Sequence, residues 1–317
     1  MYKFSILIPA YKALFLEECI TSVLNQTYRN FEIIVLNDSS PEDIDTIVCK
    51  FNDNRLLYHK HSERVGSYNL VKTWNHCLEL SSGDYIICMG DDDKLCPNCL
   101  EQFASLIDKH PEIRVFHTRA EIIDEKNNTV SICEAHPETE SVYEFIYNIL
   151  NFRNRNVIGD FCFEKTSLKD GFVFFPHAWH SDKITVLQQA SIAGIAHTNN
   201  IGFQYRENRF SITSTLHTEE KIKATNLANE WYVNFFSSPP QKKEDLIFFN
   251  LAKELLNKYI KTATSGDLQK DIQYNLIHSF KWFFLRQKYS ISLRCYLTAL
   301  FYACIIRTYK LIGIQNP

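Results

Sequence analysis

Three consecutive aspartates, Asp91, Asp92 and Asp93, follow an apolar run, Tyr85 to Met89, and the break at Gly90. Adjacent carboxylates in a half-buried place repel one another unless a positive charge sits among them. A solvated turn would tolerate them, but their position argues for more. Ligands of open α/β sheets bind outside the carboxyl ends of the strands. Carboxylates there suit a hard divalent cation with oxygen ligands, and such a cation can hold phosphates. Two other aspartates sit in comparable places. Asp38 ends the apolar run "FEIIVLN", and Asp182 opens the helical stretch "SDKITVLQQASIAG". A carboxylate at a helix start is stabilised by the dipole, so Asp182 reads either as a cap or as a base. Cys96 and Cys99 in "CPNC" have redox or metal spacing. A single pair without a second one is read as helix-start packing.

The elements that must position these residues alternate. "FSILI" (4–8), "FEIIVLN" (31–37), "RLLYHK" (55–60) and "DYIICM" (84–89) read as strands. Between them, 14–27, a segment capped by Ser40 with Pro41 at the first helical position, and 67–81 read as helices. Such repetition with short connections implies a parallel, doubly wound sheet with right-handed crossovers. From about 115 the pattern shifts to short strands, "RVFHT", "AEIID", "TVSIC", "GDFCFEK" and "IGFQYR", with one helix over 181–194. The sheet is therefore expected to turn mixed. From about 218 onward the chain reads as helical.

Composition excludes some classes. The chain has 317 residues, 45% hydrophobic and 22% charged, with ample material for a core. A net charge of −3 argues against a general nucleic-acid binder. Ten irregularly spaced cysteines and no secretory leader read as reduced thiols in a cytoplasmic protein. No apolar run reaches the roughly 18 residues needed to cross a bilayer. Residues 272–317 contain no acidic residue and carry a local charge of +6, with aromatics interleaved. That segment reads as a peripheral contact with an anionic membrane surface, as a cap on the main domain, or as a homodimer element.

"SILIPAYKA", then "LEECITSVLNQTYRNFEIIVLNDSSPED", then "GDYIICMGDDD" together resemble the family 2 glycosyltransferases of GT-A fold. The resemblance covers residues 3 to 215 and rests on several separated motifs in the right order. It implies a nucleotide-diphospho-sugar donor, a divalent metal (manganese or magnesium), and inverting transfer to an acceptor hydroxyl. By that resemblance Pro9, Ala10 and Tyr11 pack on the base and Asp38 contacts it. Asp91 approaches the ribose, and Asp92 binds the metal that bridges the diphosphate, with Asp93 supporting the metal site. The place of the family's first aspartate falls on Gly90, which is a departure. "FPHAWHSDKITVLQQAS" resembles the late acidic motif and makes Asp182 the general base. His177 and His180 are its rivals, and Trp179 could stack on an acceptor sugar. "YRENRFSIT" resembles a segment that closes over the donor, where Arg206 or Arg209 meets the diphosphate. His217 could complete the metal shell. Arg64 and Lys72 read as solvated charges.

The expected architecture is an α/β GT-A (Rossmann-like) mixed sheet flanked by helices, with a C-terminal helical extension. Residues 1–217 form the catalytic domain, divided into a nucleotide-sugar half (1–115) and an acceptor half (116–217). Residues 218–317 form the helical region. The expected acceptor is a glycan or lipid-linked glycan of bacterial surface polysaccharide synthesis, such as capsule or O-antigen. Two other readings stand beside this one. A sugar-nucleotide nucleotidyltransferase would need a Gly-rich early loop, which "PAYKALFLEE" lacks. A non-catalytic scaffold would not need Asp38, Asp91–Asp93 and Asp182 together.

Overall fold

The computed structural model describes residues 1–151, 153, 155, 157–208 and 218–311. Arg209 and His217 lie outside the described residues. The first unit, Met1–Ser214, is built on one sheet. Its first half runs β1 (Phe4–Ala10), α1 (Leu16–Leu24), β2 (Phe31–Asn37), α2 (Ile44–Val48), β3 (Leu56–Lys60), α3 (Leu70–Leu80) and β4 (Tyr85–Cys88). The strands β3-β2-β1-β4 lie side by side and all parallel, which is the doubly wound half expected. Apart from the half-buried Pro9, every residue of β1 and β2 is buried. A parallel strand covered on both faces needs a continuous apolar run, so "FSILI" and "FEIIVL" show no alternation.

The second half continues with β5 (Lys94–Leu95), α4 (Cys99–Lys109), β6 (Val115–Ile123), β7 (Thr129–Ile132), β8 (Thr139–Glu140), α5 (Val142–Leu150), β9 (Phe161–Glu164), α6 (Ser181–Ala193) and β10 (Ile195–Arg206). The sheet turns mixed at β9, which lies antiparallel between β4 and β6. The path then runs β6-β10-β5, with β7 on β6 and β8 on β10. "RVFHT" and "AEIID" form one nine-residue strand, β6, rather than two. "IGFQYR" is the second half of the twelve-residue β10. The ladder to a parallel neighbour holds both strands extended through polar positions that looked like breaks.

Local detail corrects the helix starts. The N-cap of α2 is Asp43, whose Oδ1 accepts from Thr46 N, not Ser40. The Ser40 hydroxyl instead donates to the Tyr11 carbonyl at 2.5 Å. In α1 the buried stripe is Leu16, Cys19, Ile20 and Val23, one face of a 3.6-residue repeat. Phe15 precedes the helix and lies under the Arg206 guanidinium at 4.2 Å. Each fully buried Ile, Phe or Leu of the core around Ile6, Ile33, Leu100 and Phe103 contributes about 1.5–3 kcal/mol. Cys99 is buried at the start of α4, and burial raises the Cys96 thiol to about 11, so "CPNC" is packing.

The second unit, Thr215–Pro317, is helical: α7 (Thr218–Phe235), α8 (Leu246–Tyr274), α9 (His278–Leu285) and α10 (Leu293–Leu311). It has its own core of Ile222, Leu268, Ile272, Trp282, Tyr289 and Ala299. The basic aromatic segment is divided by this packing. Trp282 donates to Asp271 at 2.6 Å inside the core, and Lys281 pairs with Glu219. Phe280, Phe284 and Phe301 are 62–77% exposed. No described helix is long and apolar enough to cross a membrane.

Candidate functional site

The carboxyl ends of β1, β2 and β4 bring three loops together. After β1, the backbone N–H groups of Tyr11 and Lys12 both donate to Asp91 Oδ2 at 2.7 Å. The Tyr11 carbonyl accepts from Ser40, and Ala13 N donates to Glu42. Asp91 is therefore a strap across the loop that presents the Tyr11 ring, as well as a carboxylate at the site. Ala10 is fully buried and belongs to the core, while Pro9 and Tyr11 are half-buried.

Asp38, expected at the base, also has a structural part. Its Oδ1 accepts from Val65 N at 2.7 Å and its Oδ2 from Gly66 N at 2.9 Å, with His61 Nδ1 at 3.0 Å from Oδ1. It fixes the loop after β3, and that loop carries Arg64. The Arg64 guanidinium lies over the Tyr11 ring at 4.4 Å. Arg64 is thus more than a solvated charge: it stacks on the Tyr11 ring and steadies it. Lys72 is exposed on α3, beside a cleft of about 580 Å³ lined also by His61, His76 and Phe174.

The acidic run turns back on itself. Asp91 and Asp93 are buried, and Asp92 is half-buried. Burial, then the charge on Asp92, push the Asp91 carboxyl up to about 6, against the pull of the N–H groups it accepts from. The same two causes push the Asp93 carboxyl well above its ordinary value. The departure at Gly90 has a steric reason. A Cβ there would meet Asp92 Oδ1 at 2.8 Å and Asp93 Oδ2 at 2.9 Å. Two carboxylate oxygens thus face the space that a side chain would fill. That donor set, oxygen only and short of positive charge, fits a hard divalent ion that takes its remaining ligands from phosphate and water.

Arg206 sits at the other end of the turn. It is 1% exposed. Its Nε donates to the Asp92 carbonyl, its Nη1 to the Asp124 carbonyl, and its Nη2 to Glu18 and Asn127. Its backbone N–H donates to Asp93 Oδ1 at 2.9 Å. With its guanidinium spent on protein partners, Arg206 is a strut for the acidic turn rather than the diphosphate ligand expected. Asn208, which the sequence reading passed over, donates to Asp92 Oδ2 at 2.6 Å. A neutral donor two residues beyond an arginine gives no sequence signal.

Asp182, Trp179 and His180 stand together on the turn into α6. Three residues there have left-handed backbone: His177 (φ 57°), Ala178 (φ 56°) and His180 (φ 69°). Each costs of the order of 1–3 kcal/mol and persists where the surroundings over-determine it. Here Phe175 N donates to Ser181 Oγ, and Val173 N to Thr185 Oγ1. The turn meets the donor side through Tyr68, whose ring lies 5.5 Å from that of His177, two residues beyond Gly66. Burial raises the Asp182 carboxyl above its ordinary 3.8, and burial with Lys183 lowers the His180 imidazole to about 3.

Residues 5–169 match the family model described as glycosyl transferase family 2. The chain belongs to that family. It is 32% identical over 128 residues to an uncharacterized glycosyltransferase of Rickettsia typhi, covering 40% of this chain and 39% of that protein. The chain therefore spans about two fifths of that relative's length. It is 26% identical over 229 residues to Escherichia coli WfgD, named a UDP-Glc:α-D-GlcNAc-diphosphoundecaprenol β-1,3-glucosyltransferase; that match covers 69% of this chain and 83% of WfgD. Among solved structures, Staphylococcus aureus TarS 1-349 in complex with UDP-GlcNAc superposes with a TM-score of 0.62 at 15% identity, covering 99% of this chain and 93% of TarS 1-349. That likeness shows the GT-A fold of this family member.

Proposed function

We propose that this chain is an inverting glycosyltransferase that moves a sugar from a nucleotide-diphospho-sugar, with UDP as carrier, to an acceptor hydroxyl. One observation carries the reading: the Tyr11 loop, with Arg64 stacked on its ring, and the Asp92–Asp93 oxygens lie together beyond the carboxyl ends of parallel strands. The acidic turn lies where the diphosphate of a donor held at the Tyr11 loop would follow. WfgD by its name uses a UDP-sugar, and TarS is seen with UDP-GlcNAc, which supports UDP here. Asp92 and Asp93 are the residues that would hold manganese or magnesium, which when bound offsets charge growing on the departing diphosphate. Residues 1–217 are the catalytic part and 218–317 a helical appendage.

Asp182 is the general base and takes the proton from the acceptor hydroxyl. An imidazole lowered to about 3 is a poor proton acceptor near neutral pH, so His180 is the weaker candidate. Trp179 offers a ring for the acceptor sugar. The acceptor is a glycan or lipid-linked glycan of bacterial surface polysaccharide. The exposed Phe280, Phe284 and Phe301 with the basic residues of 272–317 favour a peripheral site on an anionic inner membrane face.

Calorimetry of UDP, GDP and dTDP, each with and without manganese, tests the donor. UDP binding that needs the metal is expected, and no binding of any of the three would sink the reading. Asp182→Asn should leave that binding unchanged and slow transfer by roughly 10²–10⁴-fold. Because the base must be ionised, the acid limb of the wild-type rate profile should lie above 3.8 and rise with pH. If Asp182→Asn keeps its turnover while His180→Ala loses it, the histidine is the base.

A further inference from the structure

Behind the donor side, on the sheet face where α5 packs, three histidines meet. His117 of β6 and His197 of β10 are direct partners in the parallel register, so their side chains share a face. His136 reaches them from the loop before β8. Their ligand atoms lie within 4.8 Å of one another, and the residues are 2%, 8% and 3% exposed for His117, His136 and His197. Among the described residues this is the one place where three such side chains converge.

The second layer of contacts is that of a ligand cage. Glu140 Oε1 lies 2.7 Å from His136 Nδ1 and 3.1 Å from His197 Nε2. Asp160 Oδ2 lies 3.7 Å from His117 Nε2. Glu140 thus stands within hydrogen-bond reach of one nitrogen of His136 and of His197, the arrangement that fixes tautomer and orientation in metal-bound imidazoles, while Asp160 stands at ion-pair distance from His117. The opposite nitrogens of His117 and His197 turn toward one another. His117 Nδ1 and His197 Nδ1 are 3.0 Å apart, and two ring nitrogens so placed need a proton or a cation between them. A tetrahedral ion with bonds of about 2.0–2.1 Å would set its ligand nitrogens about 3.3 Å apart, so the pair needs to open by only a few tenths of an ångström.

Charge points the same way. Glu140 and Asp160 are 4% and 0% exposed, and among the described residues Asp160 Oδ1 accepts no hydrogen bond. Among the described residues, the groups in ion-pair range of either carboxylate are these imidazoles, and no lysine or arginine is. One divalent ion would balance two buried carboxylates and leave all three rings neutral. The frame is already rigid. His136 N donates to Asn199 Oδ1, and Asn199 Nδ2 donates back to the His136 carbonyl. His197 N donates to the Glu138 carbonyl at 2.7 Å. Phe145 and Phe161 wall the cluster with apolar surface.

We propose that His117, His136 and His197 bind one imidazole-preferring divalent transition metal, zinc by choice, as a buried structural site whose fourth position is left to water. The ion ties β6, β10 and the loop before β8 into one unit, independently of the glycosyl-transfer reading. Its depth leaves no approach for substrate. Its nitrogen donors select a borderline ion, whereas the oxygen donors of Asp92 and Asp93 select magnesium or manganese. The chain would then hold two different metals at two separate places.

The full-length chain should be stripped with a chelator, reloaded with zinc or cobalt(II), desalted, and its metal content measured by plasma mass spectrometry. One equivalent per chain is expected, together with the visible absorption of a tetrahedral nitrogen-ligated cobalt. Asp92→Asn should retain that equivalent, and His136→Asn should lose it. Should the histidine variant not fold, Glu140→Gln is the second probe, with zinc affinity weaker by about 10–100-fold. Wild-type chain that keeps no zinc or cobalt after desalting overturns the proposal and leaves a proton as the occupant. Loss of the ion in Asp92→Asn with retention in His136→Asn overturns it too.

Discussion

The acidic turn and the histidine cluster are both groups of ionisable side chains crowded beside one sheet, yet they are built in opposite ways. Asp91, Asp92 and Asp93 are neighbours in the chain, sit where a strand ends, and leave Asp92 half-open to solvent. His117, His136, His197, Glu140 and Asp160 come from five separate segments and are all sealed. In the first group the three backbone positions are adjacent by covalent geometry, and the fold has only to strap them, through the Tyr11, Lys12 and Arg206 N–H groups. In the second, strand register does the assembly, and the carboxylates then orient the rings. An open group can exchange ligands during turnover, and a sealed one serves as a fastening. The contrast implies that damage to the first removes function and spares the fold, while damage to the second does the reverse.

That contrast can be broken most directly at Asp92. Asp92→Asn should abolish manganese-dependent UDP binding in calorimetry and slow transfer by at least about 10²-fold, a loss in the range of other electrostatic catalytic groups. Its melting temperature should hold. A large fall in melting temperature would mean that the acidic turn is itself a fastening.

The reverse test belongs to Asn199, which pins the His136 loop by two hydrogen bonds. Asn199→Ala should cost about 1–3 kcal/mol of stability, at about 0.5–1.5 kcal/mol per bond, measured by denaturant unfolding. UDP affinity should not change. Weakened UDP binding at unchanged stability would erase the distinction between the two groups.

Gly90→Ala sharpens the comparison inside the acidic turn. The new Cβ would press on Asp92 Oδ1 and Asp93 Oδ2, both flexible side-chain ends, so the fold should absorb it. Manganese affinity, read from the metal dependence of UDP binding, should fall by about tenfold, or about 1.4 kcal/mol. Unaltered metal dependence would show that these two oxygens do not share an ion.

The smallest effect is expected at Arg64. The Arg64 guanidinium over the half-buried Tyr11 ring is worth about 0.5–1 kcal/mol, so Arg64→Ala should weaken UDP binding by about two- to fivefold on the usual conversion. An increase in affinity would mean that Arg64 blocks the ring rather than steadying it.

The part of this protein that is legible without the fold is written in adjacent residues. Continuous apolar runs at β1, β2 and β4, alternating with helical segments, pointed to a buried parallel sheet, and Gly90 put three carboxylates at the strand end where ligands of such sheets bind. Tertiary structure decided which groups the fold spends on itself. Arg206 looked like a phosphate ligand until its guanidinium was seen to be filled by Glu18, Asn127 and two carbonyls. Asp38 read as a base contact in the sequence, and only the fold shows that it also ties down the 65–66 turn through both its oxygens. Arg64 looked solvated until the same turn laid it on Tyr11. The histidines carried no signal, because 19 residues separate His117 from His136 and 61 separate His136 from His197. The physical reason is common to all of these. A side chain's type and its neighbours in sequence say what it can bind, but its hydrogen-bonding capacity is finite. Which partner uses that capacity first depends on what the sheet register and the loop closures bring within about 3 Å.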